Sequence, residues 1–455
     1  MLDEKFTVRM KKLLGEEYAE FENALSLPAV RAVRVNTVKA SAEEFFSKNN
    51  TRLIPIPYCE DGYIAQEAES LGNSPEHHAG EIYIQDPGAM SALSSLEIKR
   101  GCWVLDLCSA PGGKSSQAAA KIGPEGFLLS NEFVPKRAKI CVGNFERLGI
   151  TNAMVTSLDT AEFKKYFDSA FDLVILDAPC SGEGMFRKNG NALTEWSEEN
   201  VKSSSLRQSE ILENAAPLVK CGGYLIYSTC TYSLEENEMN VDAFVKRHPE
   251  YEIIPVRKKL KDATRDGIVF GGASESLVHT RRFYPHTSAG EGQFVALMRR
   301  NGGKEKPTIL YTSKETKPTS AELSLIEKFF RDTLTEKPRG RIVKHGENLV
   351  LISHGCPILP KSVFSAGVLL GEIRHNVFHP SHQFFSAYGR LFKLRLELSR
   401  DDGRLTRYLS GEEIEWNIEG SGYCAVCFGK TPLGGGKLTG GKVKNHYPKG
   451  LRLLR

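Results

Sequence analysis

Two cysteines sit in settings that suit covalent chemistry. Cys180 closes the string Asp177-Ala178-Pro179-Cys180, and Cys230 lies in Ser228-Thr229-Cys230-Thr231. Each follows an apolar run, 171–176 and 223–227, that reads as a buried strand. In an open α/β sheet, ligands and chemistry gather at the carboxyl ends of the strands. A thiolate is a strong nucleophile, so two thiols delivered to one sheet edge suggest a covalent intermediate. A buried free cysteine also serves as a small hydrophobe. The neighbouring motifs must therefore decide between the two readings.

The elements that position these residues are legible as alternation. Apolar strand candidates at 102–107, 126–131, 152–157, 171–176, 223–229 and 293–299 are interleaved with helical patterns, among them 135–148 and 233–247. This predicts an α/β fold with a doubly wound, mostly parallel sheet across residues 99–302, covered by helices on both faces. Residues 6–26 pattern as one amphipathic helix and 31–37 as a short strand, so 1–98 reads as an α+β module. A polar linker at 301–307 leads into an intermediate module at 308–390, with a helix at 320–334. Residues 391–455 are glycine-rich with short alternating runs, as expected of a compact β module.

Composition narrows the function classes. The chain has 455 residues, 40% hydrophobic and 25% charged, as in an ordinary soluble globular protein. Its charged start argues against a signal peptide, and no apolar run approaches the roughly 18 residues of a membrane helix. Ten cysteines without a regular framework point to a reducing cytoplasm. The net charge of +4 divides into −6 over residues 1–300 and +10 over 301–455. A basic C-terminal third fits a polyanionic partner such as nucleic acid. Cys424-Ala425-Val426-Cys427 has zinc-like spacing, but no second pair follows; a strand with its thiols on opposite sides is expected, and no metal.

A ligand site is written after the first strand. Asp106-Leu107-Cys108 ends that strand, and Ser109-Ala110-Pro111-Gly112-Gly113-Lys114 opens a helix. Glycines admit a ligand close to the backbone, and a helix N-terminus offers free N–H groups. The string is neither G-x-G-x-x-G nor a phosphate-binding P-loop. Glu132 ends the second strand, where an acid holds a ribose diol. Asp159 follows the third strand and can accept from an adenine amino group. A nucleoside pocket without a phosphate loop suits S-adenosyl-L-methionine.

Together these motifs resemble the RNA cytosine-C5 methyltransferases of the Sun/RsmB–RsmF group, particularly the bacterial RsmF type that modifies small-subunit ribosomal RNA. The resemblance is carried by Arg34-Val35-Asn36-Thr37, Gln85-Asp86-Pro87, residues 106–114, Glu132, Arg137 with Asn144 and Arg147, residues 177–184, residues 227–231 and Arg282-Phe283-Tyr284-Pro285-His286. Residues 432–437 and 444–452 are similar to that group's PUA-like RNA-binding module. The resemblance implies a methyl-donor site made of Cys108, Ser109, Ala110, Pro111, Gly112, Gly113, Lys114, Glu132, Asp159 and Asp177. It implies Cys230 as nucleophile and Cys180 as elimination helper, with ribosomal RNA or the small ribosomal subunit as partner. No membrane association is expected, and a monomer is the default.

The chemistry sets roles for the remaining residues. Carbon 5 of cytosine is a poor nucleophile until a thiolate adds at carbon 6. Lys114 and its helix are expected to favour the Cys230 thiolate. Asp177 is expected to grip cytosine at N3 or N4. The reversed assignment, with the Pro-Cys cysteine as nucleophile, stays open at this point. So do a transfer RNA substrate and a non-catalytic role in ribosome assembly. Phe186, Tyr227 and Tyr232 flank the site and suit either core packing or stacking on bases, and residues 442–449 suit phosphate contact with an aromatic.

Overall fold

Nearly continuous apolar runs make the central strands, because a parallel sheet is buried on both faces. A computed structural model describes residues 2–47, 53–65, 71–188, 190–302, 308–310, 316–353, 356–357 and 363–453. Residues 303–307 of the expected linker lie outside the described residues. The central strands are β1 (Trp103–Asp106), β2 (Phe127–Asn131), β3 (Ala153–Thr156), β4 (Phe171–Asp177), β5 (Val219–Thr229), β6 (Gln293–Arg300) and β7 (Val363–Ala366). They are ordered β6-β5-β4-β1-β2-β3-β7. Strands β1 to β5 are parallel, while β6 and β7 run antiparallel to their neighbours. Alternate residues feed two cores on opposite faces. Leu105, Leu129, Val174 and Leu225 enter one, and Val104, Leu128, Leu173 and Ile226 the other. Strand order reverses at β1, which lies between β2 and β4, so the crevice for a ligand opens at its carboxyl end.

β7 comes from the stretch read as an intermediate module. Its pairing with β3 makes that stretch continuous with the central sheet. The rest of the region forms a four-stranded antiparallel sheet of Arg341–His345, Asn348–Ile352, Val368–Arg374 and Val377–Pro380. A five-stranded sheet follows, containing Arg395–Leu398, Gly422–Phe428, Thr431–Thr439, Lys442–Asn445 and Ile414–Glu415. Within it Cys424 and Cys427 enter different cores, as alternation in a strand requires.

Two expected helices are shorter than their patterns. The 6–26 pattern breaks into Glu4–Leu14 and Tyr18–Ser26, because Gly15 ends the first helix at φ 57°. The 233–247 pattern begins its helix at Glu238, after a turn. The two N-terminal helices cover the loops after β4 and β5. Phe6 packs edge-on against Phe186 and Trp196, and Phe21 against Tyr232. Phe186, Tyr227 and Tyr232 are therefore core residues, which decides between packing and stacking on bases in favour of packing.

A lysine joins the outer modules. Lys39 is buried, and its Nζ donates to the Ser386 carbonyl at 2.5 Å and to Ser386 Oγ and the Pro432 carbonyl at 3.1 Å each. Burial lowers its pKa to about 7. Lys39→Met leaves three acceptors without this donor, so we expect a loss of about 3 kcal/mol. Calorimetric melting checks it; an unchanged Tm contradicts the role of Lys39 as a strut.

Candidate active site

Register between β4 and β5 decides where the cysteines meet. Leu176 lies beside Tyr227 and Asp177 beside Ser228. The chain beyond each strand end then turns into the same space. Cys180 Sγ and Cys230 Sγ are 3.2 Å apart, and both side chains are half-buried. The hydrogen bond to Cys230, burial and the Cys230 charge together hold the Cys180 thiol well above its usual pKa. Either sulfur can be the donor in this contact.

Asp177 stands beside the pair as an organised carboxylate. Its Oδ1 accepts from Ser228 Oγ at 2.8 Å, and its Oδ2 lies 2.8 Å from Lys114 Nζ. The lysine side chain is 8% exposed and the aspartate 34%, so the acid is the member of the pair that faces solvent. The positive charge expected to act on Cys230 is thereby directed to Asp177.

Two buried glutamates hold the residues that follow each cysteine. Glu183 accepts from Thr231 Oγ1, the Tyr232 amide and Trp196 Nε1 at 2.7, 2.8 and 2.9 Å. Glu236 accepts from the Ser181 amide and Gln208 Nε2 at 2.9 Å each, and lies 2.5 Å from Ser181 Oγ. The Gly184 amide donates to the Cys230 carbonyl at 2.8 Å. Sequence reading missed both acids as site residues. Their signal was position alone: Glu183 lies three residues beyond Cys180 and Glu236 six beyond Cys230.

The donor loop lies at the switch point. Its Ala110–Pro111 bond is cis, and Gly112 takes φ 107°, where a side chain is strained. Arg137 Nη2 donates to the Ala110 carbonyl at 3.2 Å and Asn144 Nδ2 to the Pro111 carbonyl at 2.9 Å. The Ser109 amide donates to the Asn131 carbonyl at 2.8 Å. These contacts bring residues 108–114 to the ends of β1 and β2. Glu132 is buried, accepts from the Val134 amide at 3.0 Å and lies 3.4 Å from Arg137 Nη1. Asp159 is exposed past the end of β3 and caps the turn Thr160–Lys165, accepting from the Ala161 amide at 2.9 Å. Phe133 is 64% exposed beside Glu132, an apolar surface the sequence reading overlooked.

Comparisons with known proteins agree along the whole chain. Residues 93–299 match the family described as 16S rRNA methyltransferase RsmB/F. Residues 2–87 match the N-terminal domain of 16S rRNA methyltransferase RsmF, and 395–453 the methyltransferase RsmF PUA domain. The ribosomal RNA small subunit methyltransferase F of Shewanella sp. (strain ANA-3) is 32% identical, covering 95% of this chain and 93% of its own. The protein of that name from Vibrio vulnificus (strain YJ016) is 30% identical over 99% and 97%. The chain belongs to the RsmB/F methyltransferase family, with the N-terminal and PUA domains of its RsmF members. A methyltransferase homolog protein from Pyrococcus horikoshii superposes with a TM-score of 0.58 at 27% identity, covering 66% of this chain and 95% of the other.

Enzymes of this family draw their methyl group from S-adenosyl-L-methionine, and the pocket fits that cation. Burial and three acids, Asp106, Glu132 and Asp177, hold the Cys108 thiol well above its usual pKa. Burial raises Asp106 to about 7, with Asp177 adding to the rise and a 2.6 Å bond from Ser115 Oγ opposing it. An acidic lining suits a ligand bearing sulfonium and ammonium groups. Exposed Phe133 suits the flat face of an adenine.

Close backbone packing around Cys230 generates one prediction. A Cβ on Gly184 would lie 2.5 Å from the Gly292 carbonyl oxygen and 2.8 Å from that of Cys230. Neither neighbour is a flexible side chain. Gly184→Ala is expected to cost about 2 kcal/mol and to displace the Cys230 loop. Calorimetry with alkylation kinetics at Cys230 checks it; wild-type values in both would show that the loop has slack.

Proposed function

We propose that this protein methylates carbon 5 of cytosine in small-subunit ribosomal RNA, with Cys230 as the nucleophile. The observation that carries this reading is the 3.2 Å contact between two sulfurs, with the Cys180 thiol pushed above its usual pKa by that contact and by burial. Of two thiols in contact, one ionises first and the other can stabilise it by donating a hydrogen bond. The reading takes Cys230 as the thiolate and Cys180 as that donor.

The reaction then follows in balanced steps. The Cys230 thiolate adds to cytosine C6, and the C5=C6 electrons move toward carbon 5. Asp177 grips the exocyclic amino group with the lone pairs that Ser228 and Lys114 leave free. S-adenosyl-L-methionine, held by residues 108–114, Glu132, Asp159 and Asp177, supplies an electrophilic methyl group. Carbon 5 bonds that methyl as the sulfonium S–CH3 bond breaks, its electron pair staying on the sulfur of departing S-adenosyl-L-homocysteine, and next loses its proton to a water acting as base. The C5=C6 bond re-forms as the C6–S bond breaks, and the electron pair returns to Cys230. Cys180 assists this departure through the same hydrogen bond that favours the thiolate at the start. The target base must leave its stack to reach these atoms.

RNA is gripped outside the catalytic region. We assign catalysis to 99–302, and RNA contact to residues 1–98 and the stretches 308–390 and 391–455. Tyr447 is buried in the C-terminal core, which removes it as a stacking residue. A better platform is the cross-strand row Tyr423, Lys437 and Lys444. Lys437 Nζ lies 5.7 Å from the Tyr423 ring centroid, and directly faces Lys444 on the next strand. Like charges in that position repel, and a phosphate backbone relieves the repulsion. Among the described residues no helix is long and apolar enough to cross a membrane. A cytoplasmic monomer acting on ribosomal RNA or the small subunit accords with this reading.

Two experiments test it. Cys230→Ala is expected to abolish methylation and covalent RNA adducts, while Cys180→Ala accumulates an adduct on denaturing gels. The opposite pattern overturns the assignment, and 5-methylcytosine lost from transfer RNA rather than 16S RNA in a deletion strain overturns the substrate. Lys437→Glu with Lys444→Glu is expected to weaken RNA binding and flatten its log–log salt slope by about 1.4, two phosphates at about 0.7 each. An unchanged slope removes this row from the interface.

A further inference from the structure

The two cysteine loops are joined by a chain of four oxygens whose protons can be counted. Glu236 Oε2 lies 2.5 Å from Ser181 Oγ, which lies 3.0 Å from Thr231 Oγ1, which lies 2.7 Å from Glu183 Oε2. Three contacts at these separations need three protons. The two hydroxyls supply two. If both hydroxyls pointed outward to ionised carboxylates, Ser181 and Thr231 would face each other with lone pairs alone. That arrangement is costly in a buried site. The third proton must then reside on a glutamate.

The surroundings decide which one. Glu183 receives N–H donors on both oxygens, from Trp196 on Oε1 and from Tyr232 on Oε2, which leaves neither oxygen free to carry a proton toward an acceptor. Glu236 receives both its N–H donors, Ser181 and Gln208, on Oε1. Its Oε2 meets Ser181 Oγ, the arrangement of a carboxylic acid whose O–H points at an acceptor. A proton on Glu236 would let the chain run in one direction, from Glu236 to Ser181, from Ser181 to Thr231, and from Thr231 to Glu183. Thr231 Oγ1 also accepts from the Ser233 amide at 3.2 Å, which its remaining lone-pair capacity allows.

The groups facing Glu236 come from four elements. Ser181, Glu183 and Cys180 lie in the loop after β4, Gln208 on the helix Glu198–Ala215, and Tyr227 on β5, its hydroxyl donating to the Glu236 carbonyl; Thr231 lies just after β5. The nearby cations pair with other acids, Arg9 with Glu235 and Arg282 with Glu238. Burial raises the Glu236 carboxyl above its ordinary value, and the Glu183 charge adds to the rise.

We propose that Glu236 is held as a neutral carboxylic acid and is a positioning residue that keeps the Cys180 loop in register with the Cys230 loop. The function of that register rests on the reading of the two cysteines as the reacting pair. The protonation itself does not. Ser181 immediately follows Cys180 and Thr231 immediately follows Cys230, so each link of the chain fixes the backbone beside one sulfur.

The test uses the full chain with three substitutions. Glu236→Gln keeps one donor and one acceptor, and is expected to retain methyl transfer. Glu183→Gln places an amide donor among N–H donors, and Glu236→Ala removes the link; each is expected to lower kcat by about a hundredfold. Infrared difference spectra at neutral pH are expected to show a protonated-carboxyl band in the wild type that Glu236→Gln lacks. The folded state keeps a proton that an unfolded glutamate releases above about pH 4.3, so wild-type stability falls relative to Glu236→Gln as pH rises. The Tm gap between them is expected to widen from about pH 5 to about pH 7. Absence of the band, or a gap independent of pH, overturns the proposal. If band and gap appear while Cys230→Ala still methylates, the protonation stands and the assignment of the cysteine pair fails.

Discussion

Everything at this site depends on the parallel register between β4 and β5. Pairing Asp177 with Ser228 brings the two strand ends level, and the chain beyond them turns two thiols into contact at 3.2 Å. A slip of one residue would reverse the faces of every side chain on β5 and send Tyr227 out of its core. The register is over-determined. Tyr227 is fully buried, with its hydroxyl bonded to Gln208, and Ser228 is bonded to the Asp177 carboxylate. Hydrophobic burial sets the strands, and polar contacts at their tips set the chemistry.

The loops beyond the strands have little hydrophobic surface of their own, so they are held in a different way. Glu183, Glu236 and Glu238 are buried and each is bonded to named donors. Such groups are expensive to bury and expensive to leave unpaired, so they admit few alternative arrangements. The N-terminal helices close over this polar layer with Phe6 and Phe21. The N-terminal segment is therefore part of the wall of the catalytic centre as well as a separate module. Lys39 and Arg147 tie the N-terminal module to its neighbours. The first reaches Ser386 and Pro432, and the second bonds the carbonyls of His77 and Ile82.

How much of this was legible in the sequence follows from the range of each interaction. The strands were clear because their apolar runs are local, and each of the six expected central runs overlaps an observed strand. The Pro-Cys and Thr-Cys strings were clear because strand ends present residues to the site. The break at Gly15 was missed because the hydrophobic pattern continues across it while the backbone does not. The choice between packing and stacking stayed open for Phe186 and Tyr232, and Tyr447 was misread, because all three owe their burial to partners far away in the chain. Phe186 packs on Phe6, and Tyr447 bonds His78. The pairing of Lys114 with Asp177 and the alignment of Lys437 with Lys444 depend on tertiary placement, which composition and spacing do not carry.

Charge division explains why the catalytic region needs its extension. On the proposed reading, Glu132 and Asp177 favour a cationic methyl donor and, by the same field, disfavour the phosphates of an RNA substrate. Residues 1–300 carry −6 overall, so attraction for RNA cannot come from their net charge. Residues 301–455 carry +10 and present a row of lysines on a β-sheet. Separating the two signs lets each ligand approach its own potential, screened from the other over roughly 8 Å at physiological salt. Continuity of the sheet through β7 and the buried contacts of Lys39 then make the separation rigid. The basic C-terminal third is thereby joined to the central sheet by strand pairing and a buried lysine.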